Sequence, residues 1–244
     1  MAIYKNTPPT ITDGLVLSLD AANPKSYISG STTWTDISGN NTSGSLVNVE
    51  FDSTKKCLLF TSSSQSTCTL NNSSLLNFNT GSFSIETVVQ LTATASGNIN
   101  TLYIKRSGTA GIGGAKGYSY RLNNNTTTTA GTIITVDNGT GANNGDYTYL
   151  TPTFPYFNII HSVLIFNVST LKLTEYRNGK LTSTVNTGVL TGSFYNTNSN
   201  LVLGKLDGNS LDAEYYTFKA YNKVLSEAEI IQNYNATKAR FNLT

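Results

Sequence analysis

Three carboxylates in this chain carry the residue type and spacing for acid–base work. Asp212 and Glu214 stand two residues apart, and Glu86 sits inside the alternating run Phe83 to Leu91. Alternate residues of a strand point to one face. Two carboxyls about 5 Å apart form the pair of a retaining glycoside hydrolase, and a wider gap suits inversion. Glu86 has no acidic neighbour in its own run. Asp212 and Glu214 fall in a segment that reads as an ordinary closing strand. No enzymatic activity is therefore expected.

A second chemistry is cation binding. Asp137, Asn138 and Asp146 share one loop; Asp207, Asn209 and Asp212 share another. Calcium takes six or more oxygen ligands, which such loops provide. Asp137, Asp146, Asp207 and Asp212 are the candidate ligands, and calcium is the one candidate cofactor. Neither loop has a fixed ligand spacing, and Asx turns use the same residues.

A third chemistry is sugar recognition by aromatic platforms. Tyr118, Tyr120, Tyr147 and Tyr149, with Tyr156 beyond them, cluster near Gly/Asn loops. The same alternation also suits tyrosines that pack a sheet and keep the hydroxyl wet. Trp34, the single tryptophan, is expected in the core. His161 lies in an apolar strand without a Ser or Cys motif, so a core histidine is expected. Arg177 and Lys180 flank a turn and are expected at a solvated tip.

The elements that must hold these residues are mostly strands. Gly14 to Asp20 alternates and reads as the first. Short strands follow over 45–51, 56–61 and 67–70. In the run 83–91, Phe83, Ile85, Thr87, Val89 and Leu91 share one face. Further strands are expected over 101–105, 118–122, 133–136, 159–167, 201–204 and 211–218. Asn178-Gly179 between two β runs is the preferred type I′ hairpin turn. Cys57 and Cys68 are expected opposite each other across a hairpin centred near Ser62–Ser63, where they can form a bridge; two free thiols in half-buried strands are the favoured reading. At the end, Ser226 and Glu229 form a capping box, with Leu225 and Ile230 as the hydrophobic staple. Ile230, Ile231 and Tyr234 are expected on one buried helical face. A dozen strands with turns at this spacing predict a single all-β sandwich with one short C-terminal helix.

Composition limits the partners. Of 244 residues, 12% are charged, against a usual share of about 25%. Solubility rests on Ser, Thr, Asn and Gly. The net charge of +2 is scattered, and a nucleic-acid footprint needs clustered positive charge. No run approaches 18 apolar residues, so no spanning helix is expected. The N-terminus lacks the apolar core of a signal peptide; synthesis without Sec export, or removal of a leader, is the expectation. Asn-x-Ser/Thr triplets begin at Asn41, Asn72, Asn125, Asn138, Asn167 and Asn235, as this composition alone produces.

The order of motifs resembles a known family. Phe83-Ser-Ile-Glu-Thr-Val-Val is similar to the "F-T-I-E-A-W-V" strand of concanavalin A-like, laminin G-type domains. Ile160-His161-Ser162-Val163 resembles the "W-H-x-V" strand, with Ile160 in the tryptophan's place. Glu175 to Leu181 resembles the "Y-x-N-G" hairpin, and Ala220 to Ile230 the "Y-N-R-A-L-S-x-x-E-I" ending. The opening, Gly14 to Tyr27 and Thr33 to Asn40, is similar to laminin G-like proteins of tailed phages. The resemblance implies a jelly-roll sandwich over residues 13–244, preceded by an arm of residues 1–12. It implies a calcium site at the sandwich rim. It also implies a virion protein, made in the host cytoplasm and present in many copies. Such a protein decorates the capsid or belongs to the tail or its fibre. Its partners would be capsid or tail proteins and host surface glycans, with no nucleic acid and no membrane. The alternative is a lectin-like carbohydrate-binding module of a fibre or a bacterial surface.

Overall fold

A computed structural model describes residues 8–78, 81–93, 100–107, 116–124, 129–138, 146–186, 197–206 and 209–243. Two antiparallel eight-stranded sheets face each other. The front sheet runs, in spatial order, Lys180–Asn186, Lys172–Arg177, Ile159–Asn167, Phe83–Leu91, Ala213–Tyr221, Cys57–Phe60 and Glu50–Asp52. Leu15–Asp20 also pairs with Ala213–Tyr221, along the half that Cys57–Phe60 leaves free. The back sheet runs Asp146–Pro155, Thr129–Asn138, Lys116–Asn124, Asn100–Ser107, Leu201–Leu203, Thr67–Leu70, Gly44–Val47 and Thr33–Trp34. The chain is thus an all-β sandwich, as its alternation predicts.

The core lies between the sheets. Phe83, Ile85, Val89 and Leu91 enter it from one face of their strand, as period-2 spacing requires. Trp34 is wholly buried there, with Phe60, Tyr103, Tyr215 and Phe218. The Asn178-Gly179 turn forms as expected, with φ of 49° and 74°, the double positive φ of a type I′ turn. Gly117 (φ 120°) is needed where its strand passes the next, because a Cβ there would stand 2.0 Å from the Lys105 carbonyl oxygen.

The stretch 45–51 is two strands, not one. Asn48 adopts φ 53°, a left-handed conformation that Asn tolerates, and the chain steps there from the back sheet to the front. The turn at 61–66 steps between the sheets as well. Cys57 therefore pairs with Asp52 in the front sheet, while Cys68 pairs with Leu46 and Leu203 in the back. The two cysteines are not opposite each other. Both are free and buried, and burial pushes the Cys57 thiol up to about 12.

The helix, Glu227–Phe241, packs on the outer face of the front sheet. Its capping box is complete: Ser226 accepts from the Glu229 amide, and the Glu229 carboxylate accepts from the Ser226 amide. Leu225 and Ile230 meet in one cluster with Val163, Ile165 and Tyr221, which is the staple. The buried stripe is Ile230, Asn233, Tyr234, Thr237 and Phe241. Ile231, expected on it, is 40% exposed. One residue past Ile230 lies about 100° round the helix, off the stripe. Asn233 takes the inward place because a buried carboxylate awaits its amide there. The segment read as an arm is tied to the helix in its described part. Asn233 accepts from the Ile11 amide at 2.8 Å, and Gln232 donates to the Pro9 carbonyl at 2.7 Å.

Candidate functional site

A groove of about 540 Å³ opens on the outer face of the back sheet. Two neighbouring strands build its floor. Val202 pairs with Ile104. Leu201 and Leu203 point into the core, so Val202 between them points out. Ile104 and Arg106, two apart on the next strand, line the same floor, and Lys205 closes one end. The wall is Asn198, Ser199 and Asn200. The lining thus joins an apolar floor to amides, a hydroxyl and two cationic residues.

The wall is held from below. Lys105 is fully buried, and its Nζ donates to the Ser199 carbonyl at 2.6 Å, the Thr197 carbonyl at 3.3 Å and Asn72 Oδ1 at 2.7 Å. Burial lowers this ammonium to about 8. Thr197 Oγ1 accepts from the Ser199 amide, and Asn200 Oδ1 accepts from the Asn72 amide, each at 3.0 Å. A buried cation satisfied by loop carbonyls fixes the loop much as a bound ion would. The groove is therefore formed in advance, and binding spends less conformational entropy on ordering it.

The residues singled out in the sequence lie elsewhere. Tyr118 and Tyr120 are inside the core. Tyr118 donates to the Leu76 carbonyl at 3.2 Å, and Tyr120 to Glu175 Oε1 at 2.8 Å. They are packing residues whose hydroxyls meet protein acceptors, not exposed platforms. Tyr147 and Tyr149 lie in Asp146–Pro155, opposite Thr135 and Ile133. Their side chains are outside the described residues, as is the whole of Asp207. Asp137 pairs with Gly117, and Asp146 with Val136, so both occupy strands rather than a shared loop; their side chains also fall outside the description. The Asp212 carboxylate accepts from the Ser62 amide at 2.8 Å and the Ser62 hydroxyl at 2.7 Å, an inter-loop tie. Among the described residues, no group of three His, Cys, Asp or Glu side chains is placed to hold a metal ion.

Glu86 and Glu214, two of the three acids considered for catalysis, are enclosed, while Asp212 is half-buried. Glu86 is wholly buried beneath the helix. Its Oε1 accepts from Lys219 Nζ at 2.8 Å; its Oε2 accepts from Asn233 Nδ2 at 2.6 Å and Tyr221 Oη at 3.4 Å. His161 Nε2 stands 3.4 Å away, within charge range but outside hydrogen-bond geometry, so His161 is a core histidine packed on Tyr234. Glu214 is 3% exposed and bonded by Lys55 and Tyr216. Arg177, expected at a solvated tip, binds buried Glu175 through Nε and Nη2, each at 2.9 Å.

No protein-family model and no curated protein matches this chain. The laminin G and phage resemblance thus rests on its motif residues. Solved structures do share the fold. The binding domain of Paraclostridial Mosquitocidal Protein 1 superposes with a TM-score of 0.70 at 17% identity, over 92% of this chain and 52% of that one. The botulinum neurotoxin serotype D binding domain gives 0.69 at 18%, over 94% and 53%. The binding domain of botulinum neurotoxin DC, solved in complex with SialylT, gives 0.66 at 16%, over 93% and 52%. The chain spans about half the length of each. At such identities the likeness shows the fold.

Neither the groove nor its support was visible in the sequence. Its lining comes from 104–106 and 198–205, about a hundred positions apart. One local signal existed: Lys105 is a charge inside the run Thr101–Lys105, where an apolar strand leaves it little water.

Proposed function

We propose that this chain is a non-catalytic carbohydrate-binding module and that the back-sheet groove is its site. The observation that carries this reading is a preformed groove lined by side-chain amides and cations over an apolar floor, on a fold shared with toxin binding domains, one of them solved with SialylT. Sugars need hydroxyl partners and a small apolar contact for ring C–H groups, and the groove offers both. Lys205 favours glycans that carry a carboxylate. Glu86 and Glu214 are enclosed and the Asp212 carboxylate is taken by Ser62, so the three candidates leave no pair of open carboxyls for hydrolysis. A glycan array tests the reading. Sialylated or uronate-bearing oligosaccharides should bind, and Lys205→Ala should weaken them about fivefold or more. An array on which no glycan binds would sink it.

The carrier proposed for the module is a tailed-phage virion, with capsid or tail proteins as its other partners. The opening motif favours it. Those residues form a closed knot around Asp36, whose carboxylate accepts from the Ser18, Ser38 and Thr42 amides. Mass spectrometry of purified particles should find the chain in many copies; particles without it contradict the assignment.

A further inference from the structure

The two sheets end on the same side of the sandwich. Glu50–Asp52 is the last strand of the front sheet, and Thr33–Trp34 the last of the back. Two hollows lie at this edge. One, of about 290 Å³, is lined by Tyr27, Leu46, Asn48, Val49, Glu50 and Phe51, with the tip of the 29–32 loop above them. The other, of about 320 Å³, adjoins it across Tyr27 and Ser31 and contains Lys25, Ile28 and Thr33.

The walls are rigid. The Thr35 amide donates to the Ser26 carbonyl at 2.7 Å, and Ser26 Oγ returns a bond to the Thr35 carbonyl at 2.6 Å. The Leu46 amide donates to the Thr32 carbonyl at 2.8 Å. Asn48 Nδ2 donates to the Ser64 carbonyl at 2.7 Å. Phe51 packs against Tyr27 with ring centroids 5.0 Å apart, and Lys56 Nζ lies 5.9 Å from the Phe51 centroid. Glu50 is exposed, and no group of the described residues bonds its carboxylate. Ile28, in the adjoining hollow, is 69% exposed.

We infer that this edge is a second sugar site, chemically distinct from the groove, for neutral pyranose rings. Tyr27 and Leu46 belong to the core, so the contact offered to the C–H face of a pyranose is the half-buried Phe51 ring with Val49 beside it in the lining. The Glu50 carboxylate, an acceptor only, takes two hydroxyl donors and repels an acidic sugar. Ser29 and Ser31 can donate or accept at the rim. The adjoining hollow continues the path, so a disaccharide spans both. The site needs nothing from the groove and stands if the groove reading fails. Two such sites on one module would let it hold a branched glycan at two points, which multiplies avidity without new contacts.

Saturation-transfer NMR with methyl glucoside, methyl galactoside and maltose as neutral probes, and 3′-sialyllactose as the acidic one, tests this. Neutral probes should give transfer that Glu50→Gln and Phe51→Leu each weaken about tenfold, while transfer to 3′-sialyllactose stays as in the parent. Glu50 is exposed, so Glu50→Gln should fold as the parent does, and a thermal melt checks both variants. The inference is overturned if no neutral probe gives transfer, or if that transfer survives both edge variants or is lost only in Lys205→Ala. Loss of sialyllactose binding alone, with the neutral signal intact, would strike the groove reading and leave this one standing.

Discussion

Glu86→Ala should cost about 3–5 kcal/mol of unfolding free energy, because it strands a buried ammonium. Lys219 is 5% exposed and has the Glu86 carboxylate directly across the strand pair. Without it, Lys219 has no countercharge, Asn233 keeps only the Tyr221 hydroxyl as acceptor for its amide, and Tyr221 keeps only the Ile11 carbonyl. The helix should loosen first, since Asn233 is its link to this cluster. Glu86→Gln keeps the shape and one acceptor but not the charge, so it should lose nearly as much. Replacing the pair together, Glu86→Leu with Lys219→Met, should recover most of the loss, as apolar replacement of buried ion pairs does elsewhere. Urea denaturation followed by circular dichroism measures all three. A Glu86→Ala protein within about 1 kcal/mol of the parent would show that the pair is not what holds the helix down.

The same group sets an acid limit. Burial alone would raise the Glu86 carboxyl, but the Lys219 ammonium, and after it His161, outweigh burial and hold it far below its ordinary 4.5. A depressed carboxyl stabilises the fold fully above its unfolded value, and that contribution is lost as pH falls toward the folded one. The parent should therefore lose stability steeply below about pH 4.5, and Glu86→Gln should show a shallower acid slope.

Local rules made the frame legible. The capping box at Ser226, the type I′ turn at Asn178-Gly179 and the alternation from Phe83 to Leu91 each depend on residues within a few positions. Where the chain changes sheet, local rules fail. Nothing near Cys57 or Cys68 says that the turn between them crosses the sandwich, so they read as hairpin partners. Tyr118 and Tyr120 alternate with polar residues, and alternation alone does not say which face meets the core. The two candidate sites are worse still. The groove joins 104–106 to 198–205, and the edge joins 27–32 to 46–51; only packing brings either together.

Arg177 is the instructive exception, because its place could have been read. Leu173, Glu175 and Arg177 share one face of their strand, and Leu173 is a core residue, so a charge pair was being sent between the sheets. There Arg177 does what no apolar residue can. Nε and Nη2 bind Glu175 in the front sheet, Nη1 donates to the Thr153 carbonyl of the back sheet at 2.8 Å, and the guanidinium lies 4.9 Å from the Phe154 ring centroid. Glu175 in turn accepts from Tyr120 of the back sheet and from Ser162. Arg177→Ala leaves that carboxylate buried with hydroxyl partners only, and should cost about 3–5 kcal/mol. Arg177→Lys keeps the charge but not the planar fork, and should fall between. Arg177→Met with Glu175→Gln removes both charges and should lie nearer the parent than Arg177→Ala does. Chemical denaturation gives the order. If Arg177→Lys equals the parent, a point charge suffices and the cross-sheet fork contributes nothing. If Arg177→Ala does as well, the sheets are held by their apolar faces alone.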